Sequence, residues 1–107
     1  MIITKLVEVI AARKALPPGS RSYVRSLCDQ GLGAIGAKIT EEAAEVVEYA
    51  AEPGDAGREH LVREVADLVF HTLVLLCERG AAWSEVEAEL ARRFGIGGLD
   101  EKASRAN

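Results

Sequence analysis

Aromatic side chains are scarce: two Phe, two Tyr and one Trp serve a chain of 107 residues. Without a stacking platform, and with 13 basic against 17 acidic residues for a formal charge of −4, nothing suits the chain to a nucleic-acid surface. Cysteine is equally sparse. Cys28 and Cys77 stand far apart and outside any C-x-x-C, which argues against a disulfide framework or a zinc knuckle and for two buried thiols in a reduced compartment. Long apolar runs are missing too. The longest, Leu73 to Cys77, falls far short of the roughly 20 residues a bilayer requires. The first ten residues include Lys5 and Glu8 and lead to no small-residue cleavage site. These absences imply a cytoplasmic protein with neither nucleic acid nor membrane as partner.

What is present favours helix. Hydrophobic residues make up 49% and charged residues 28%, and the apolar content is mostly Ala, Val and Leu, better helix than sheet formers. Ile2, Ile3, Leu6, Val7 and Ile10 recur at helical spacing and predict a helix to about residue 15. Leu16-Pro17-Pro18-Gly19 then breaks the chain. A short helix starting at Ser20 or Ser22 carries Val24, Leu27 and Cys28 toward Gly31. A longer one runs from Leu32 to Ala51, closed by Glu52-Pro53-Gly54-Asp55-Ala56-Gly57. The longest is expected from Arg58 to Arg79, and a last one from Ser84, with Glu87 in capping-box position, to about Phe94. Residues 1–107 read as one all-α domain of four to five helices, with about 96–107 as a Gly-containing tail.

Gly31-Leu32-Gly33-Ala34-Ile35-Gly36 matches the G-x-G-x-x-G of dinucleotide-binding turns. The motif needs a strand feeding it, a helix leaving it and an acid after the next strand. Here a helix precedes it and no β-α-β unit follows. A helix junction that permits close packing is the better reading.

The acidic residues that follow carry more. Glu41, Glu42 and Glu45 share an arc of roughly 100°, with Lys38 inside it and Glu48 at its border. Alone, this would be a solvated face. The next helix is apolar around nearly its whole circumference from Val65 to Cys77, which predicts a buried rod. Its titratable exceptions, Asp67 and His71, fall with Glu64 within about 60°. A buried carboxylate requires a partner, and Lys38 alone cannot offset so many. Glu42/Glu45 and Glu64/Asp67 have the same i, i+3 spacing. If the two helices pack antiparallel, four carboxylates converge with Glu41 beside them. Such hard oxygen donors suit Mg²⁺, or Mn²⁺ in its place, and a phosphate-bearing substrate.

Lys38–Glu45, "KITEEAAE", and Arg63–His71, "REVADLVFH", resemble the E-E-x-x-E … E-x-x-D signature of the MazG-like all-α pyrophosphohydrolases. "SYVRSLCDQG" at Ser22–Gly31, "LLCERGAAWSEVEAELARRFG" and the tail "GLDEKASR" are similar to one branch, the phosphoribosyl-ATP pyrophosphohydrolases. The resemblance spans about Ser22 to Arg105. It departs at Thr40 for a usual Gly, Val24 for Thr, Phe70 for Tyr, and a slightly longer loop; none of these is acidic.

The resemblance implies a MazG-like helical bundle completed by dimerisation. It implies Mg²⁺-dependent hydrolysis of the α–β phosphoanhydride of a nucleotide, phosphoribosyl-ATP. Glu42, Glu45, Glu64 and Asp67 would ligate the metal; Glu41 would be a further ligand or would orient the attacking water, making Glu41 and Glu45 the catalytic pair. Lys38, His71, Arg21, Tyr23, Lys102 and Arg105 would stand near the phosphates, the last two on a basic tail closing over them. On the residues alone, His71 also reads as a satisfied core histidine, Ser22 as a helix cap, His60 as solvated and Trp83 as a packing staple. Two other functions share the pattern: a nucleoside triphosphate pyrophosphohydrolase clearing non-standard nucleotides, and a non-catalytic helical dimerisation module.

Overall fold

The structure, a computed structural model, describes residues 1–96. Five helices, α1 (Ile2–Lys14), α2 (Tyr23–Gln30), α3 (Leu32–Ala50), α4 (Gly54–Glu78) and α5 (Trp83–Phe94), follow one another with no strand among the described residues. The tail, including Lys102 and Arg105, lies outside them.

Local chemistry explains most boundaries. Arg13 and Lys14 close the last turn of α1, where cations offset the exposed carbonyls. Ser22, in extended conformation, caps α2 by accepting from the Arg25 amide at 3.3 Å. Gly31 has φ 95°, ψ −179°, a backbone that side-chain-bearing residues resist, and it turns α2 directly into α3. The glycine motif is therefore a helix corner. Its expected close packing is absent, because a Cβ added at Gly33 or Gly36 would meet nothing within 4 Å.

Two starts differ from expectation. α4 begins at Gly54 rather than Arg58: a first helical turn tolerates Gly because its amides lack intrahelical acceptors, and Asp55 there offsets the helix dipole. α5 begins at Trp83, with Glu85 accepting from the Ala82 amide at 2.7 Å. The reciprocal glutamate is thus two residues earlier than Glu87, and Ser84 lies inside the helix.

α3 and α4 form an antiparallel hairpin packed along its length, and α1 and α2 cover one end of it. There the core gathers: Ile10, Val24, Leu27, Ile35, Leu73 and Val74, flanked by Ile39, Phe70 and Trp83 among others. Trp83 thus anchors α5 as expected. The rest of α5 is little covered, with Leu90 and Phe94 exposed. α4 is not a buried rod within one chain. Its only buried residues besides Leu73 and Val74 are Gly57 and His71, and Val62 and Val65 face outward. One hairpin partner and α1 shield only one side of a helix, whatever its hydrophobicity.

Gly57 sits against the Glu52 carbonyl so closely that a Cβ would overlap it. Gly57→Ala should lower stability by about 1–3 kcal/mol through forced backbone movement. Gly33→Ala, in open space inside a helix, should raise it by about 0.5–1 kcal/mol. Urea midpoints of the two variants moving the same way would contradict this packing of the α3–α4 turn.

Candidate active site

Between the apolar core and the turn at residues 51–53, the hairpin faces carry the titratable side chains. From the turn inward, facing pairs are Tyr49 with His60 (ring centroids 5.0 Å apart), Glu45 with Glu64, and Glu42 with His71. The antiparallel register thus interlocks the two acidic pairs. Glu64 is half-buried, and its Oε2 is buried with no hydrogen-bond partner. Two carboxylates can bond only by sharing a proton. That bond to Glu45, then burial, then the negative charges of Glu45, Asp67 and Glu42 push the Glu64 carboxyl up to about 7.

His71 is 5% and Glu42 8% exposed. Nδ1 of His71 lies 2.8 Å from Glu42 Oε2 and 3.0 Å from the Asp67 carbonyl, and Nε2 lies 2.7 Å from the Tyr23 hydroxyl. Both ring nitrogens are engaged within the chain, as a satisfied core histidine requires. Tyr23, half exposed at the start of α2, brings a third helix to the site.

The remaining sequence candidates are peripheral. Asp67 is exposed at the mouth of the cluster rather than enclosed. Lys38 pairs with Glu41 at 3.7 Å, both well exposed, instead of meeting Asp67. Arg21 is exposed. His60, expected in solvent, is half-exposed and meets Glu52 at 2.9 Å. With Tyr49 it flanks the Glu45–Glu64 pair, an arrangement missed from sequence although the signal was there: Tyr49 is four residues after Glu45, and His60 four before Glu64. Burial, then the charges of Glu48, Glu45, Glu64 and Glu52, raise the Tyr49 hydroxyl above its ordinary value.

Among the described residues, no three His, Cys, Asp or Glu side chains already stand as a finished coordination shell. The arrangement is instead a concentration of negative charge relieved by a shared proton. Its consequence is measurable. A carboxyl raised from 4.5 to about 7 in the folded state contributes stability fully present below the unfolded value and lost as pH rises through the folded one. The melting temperature of the chain without divalent ions should therefore fall between about pH 5 and about pH 8, and Glu64→Gln should flatten that fall. A wild-type profile rising across this range would contradict the proton-sharing pair.

Comparison with known proteins supplies the family. A family model described as phosphoribosyl-ATP pyrophosphohydrolase matches residues 3–94. Proteins called phosphoribosyl-ATP pyrophosphatase are 48% identical over 103 residues in Rhodopirellula baltica, covering 96% of this chain and 85% of that protein. In Chromobacterium violaceum the identity is 48% over 104 residues, with 97% and 93% covered. In Novosphingobium aromaticivorans it is 48% over 106 residues, with 99% and 95% covered. The match takes in all five helices and both acidic pairs, and this chain belongs to the phosphoribosyl-ATP pyrophosphohydrolase family.

Proposed function

We propose that this chain hydrolyses phosphoribosyl-ATP at its α–β phosphoanhydride, giving phosphoribosyl-AMP and pyrophosphate, the second step of histidine biosynthesis. The observation that carries the proposal is the meeting of two i, i+3 carboxylate pairs across the α3–α4 hairpin in a chain of this family. Glu42, Glu45, Glu64 and Asp67 are the residues to hold Mg²⁺, with Mn²⁺ as a substitute. The chain's own chemistry fits such an ion: hard oxygens, an unpartnered buried Oε2 on Glu64, and mutual repulsion that a divalent cation relieves. When bound, the cation supplies charge neutralisation on the phosphate oxygens.

The protein groups do the rest. Glu41 and Glu45 are the catalytic pair: Glu41 ligates the metal further or orients the attacking water, whose proton passes to a carboxylate of the pair as its oxygen bonds to phosphorus and pyrophosphate leaves. Lys38, close to Glu41, offers a cation to the phosphates at the exposed rim, and so does Arg21. Lys102 and Arg105, outside the described residues, are proposed for the same role. The reaction is cytoplasmic, consistent with two free thiols at Cys28 and Cys77, and no helix among the described residues is long and apolar enough to cross a membrane.

The working unit is a homodimer of single-domain chains. Val47 and Val62 on the hairpin and Phe94 on α5, 73%, 60% and 68% exposed, are apolar side chains that such a partner would cover. Sedimentation at the mass of one chain would remove that part.

Pyrophosphate release with Mg²⁺ tests the whole reading, comparing phosphoribosyl-ATP with ATP, dUTP and dCTP. Phosphoribosyl-ATP should be strongly preferred, and Glu45→Gln should lower turnover at least about 100-fold while the fold persists. Equal release from the plain nucleotides would reassign the chain to nucleotide clearance. Failure to release pyrophosphate from any of the four would leave the carboxylates a structural or dimerisation feature.

A further inference from the structure

We propose that Tyr23 and His71 are positioning residues that lock the Glu42 carboxylate for cation binding, through one hydrogen-bonded chain running from α2 across α4 to α3. This rests on reading Glu42 as a metal ligand.

Proton placement follows from the partners. His71 Nδ1 faces two acceptors, Glu42 Oε2 at 2.8 Å and the Asp67 carbonyl at 3.0 Å. A ring nitrogen between two acceptors must carry a hydrogen. A ring with its single hydrogen on Nδ1 has its lone pair on Nε2, and the hydrogen placed to meet that lone pair is that of the Tyr23 hydroxyl, 2.7 Å away. In that tautomer Tyr23 donates to His71, and His71 donates to Glu42.

The packing allows little freedom. The Tyr23 ring stacks on Phe70 at 6.1 Å and meets the His71 ring edge-on at 5.6 Å, and Phe70 meets His71 edge-on at 5.0 Å. Two rings thus clamp the imidazole, and the Asp67 carbonyl ties it to the turn of α4 that bears another proposed ligand. With Oε2 held from behind, Oε1 of Glu42 is left for a cation. Hydrogen bonds behind a ligating carboxylate hold its orientation, and their loss typically costs about 10–100-fold in metal affinity. This gives α2 a role at a site whose carboxylates all lie on α3 and α4.

The test is Mn²⁺ affinity, followed by the electron paramagnetic resonance of the free ion, on the full chain without substrate. Wild type is compared with Tyr23→Phe, His71→Asn, His71→Leu and Glu42→Gln, and long-range ¹⁵N–¹H spectra report the tautomer of His71. Tyr23→Phe retains the ring against Phe70 and should weaken Mn²⁺ binding about tenfold with its melting temperature nearly unchanged. His71→Asn, whose amide N–H lies close to the place of Nδ1, should recover most of the affinity lost in His71→Leu. Wild-type spectra should show hydrogen on Nδ1. If Glu42→Gln weakens binding while Tyr23→Phe does not, the positioning role is wrong and the metal reading stands. If Glu42→Gln binds Mn²⁺ as wild type does, Glu42 is no ligand and the underlying reading falls with it. Should His71→Leu fail to fold, Tyr23→Phe and the tautomer still decide: hydrogen on Nε2 overturns the proposal.

Discussion

Like charges resist being brought together, and the α3–α4 hairpin brings four carboxylates to one place. Glu45 and Glu64 stand close enough to share a proton, with Asp67 and Glu42 adding to the same field. Such an arrangement is unfavourable for the folded chain by itself, and something else must hold the helices in register. At one end that is the aliphatic core of Ile10, Val24, Leu27, Ile35, Leu73 and Val74. At the other it is the short turn, with Gly57 fitted against the Glu52 carbonyl. Between these fixed ends repulsion can be relieved by a proton or a cation but not by separation. The strain is what makes the place chemically useful: anionic oxygens kept close together are a standing demand for a hard cation.

His71 marks the border between the two regimes. One residue away, Phe70 belongs to the packed interior; on the ring itself, one nitrogen reaches Glu42 and the other Tyr23. A buried carboxylate needs donors, and the imidazole Nδ1 stands 2.8 Å from Glu42. The same contact therefore solves a stability problem for the core and an orientation problem for the site. It also explains why α2 is anchored where it is. Ser22 caps its first turn, and Tyr23 is the next residue.

Much of this was legible in the sequence because it depends on local periodicity. The boundaries of α1, α2 and α3, the corner at Gly31, and the matched spacing of Glu42/Glu45 and Glu64/Asp67 all follow from residues within a turn or two of one another. What was misread depends on neighbours. The apolar circumference of Val65 to Cys77 suggested enclosure, but one chain covers only one side of α4, so Asp67 is at the mouth and Val62 and Val65 face outward. Gly54, Asp55 and Gly57 suggested a loop, because residues that break a helix interior are acceptable in a first turn. The Tyr23–His71 contact spans 48 positions in sequence, and no pattern in one chain announces such a pair. The glycine motif is the opposite case, a perfect local match whose function depended on a strand that is not there.

If Glu42, Glu45, Glu64 and Asp67 form one cation site, Glu48 on the same helix lies outside it. Mn²⁺ binding isotherms of Glu45→Gln, Glu64→Gln and Asp67→Asn, set beside Glu48→Gln as an acid of the same helix outside the cluster, test it most directly. Each of the first three should lose at least about tenfold in affinity, with helicity retained and Glu48→Gln indistinguishable from wild type. Equal affinity in all four variants would mean that the carboxylates merely lie near one another, and the reading of this hairpin as a metal-dependent active site would be wrong.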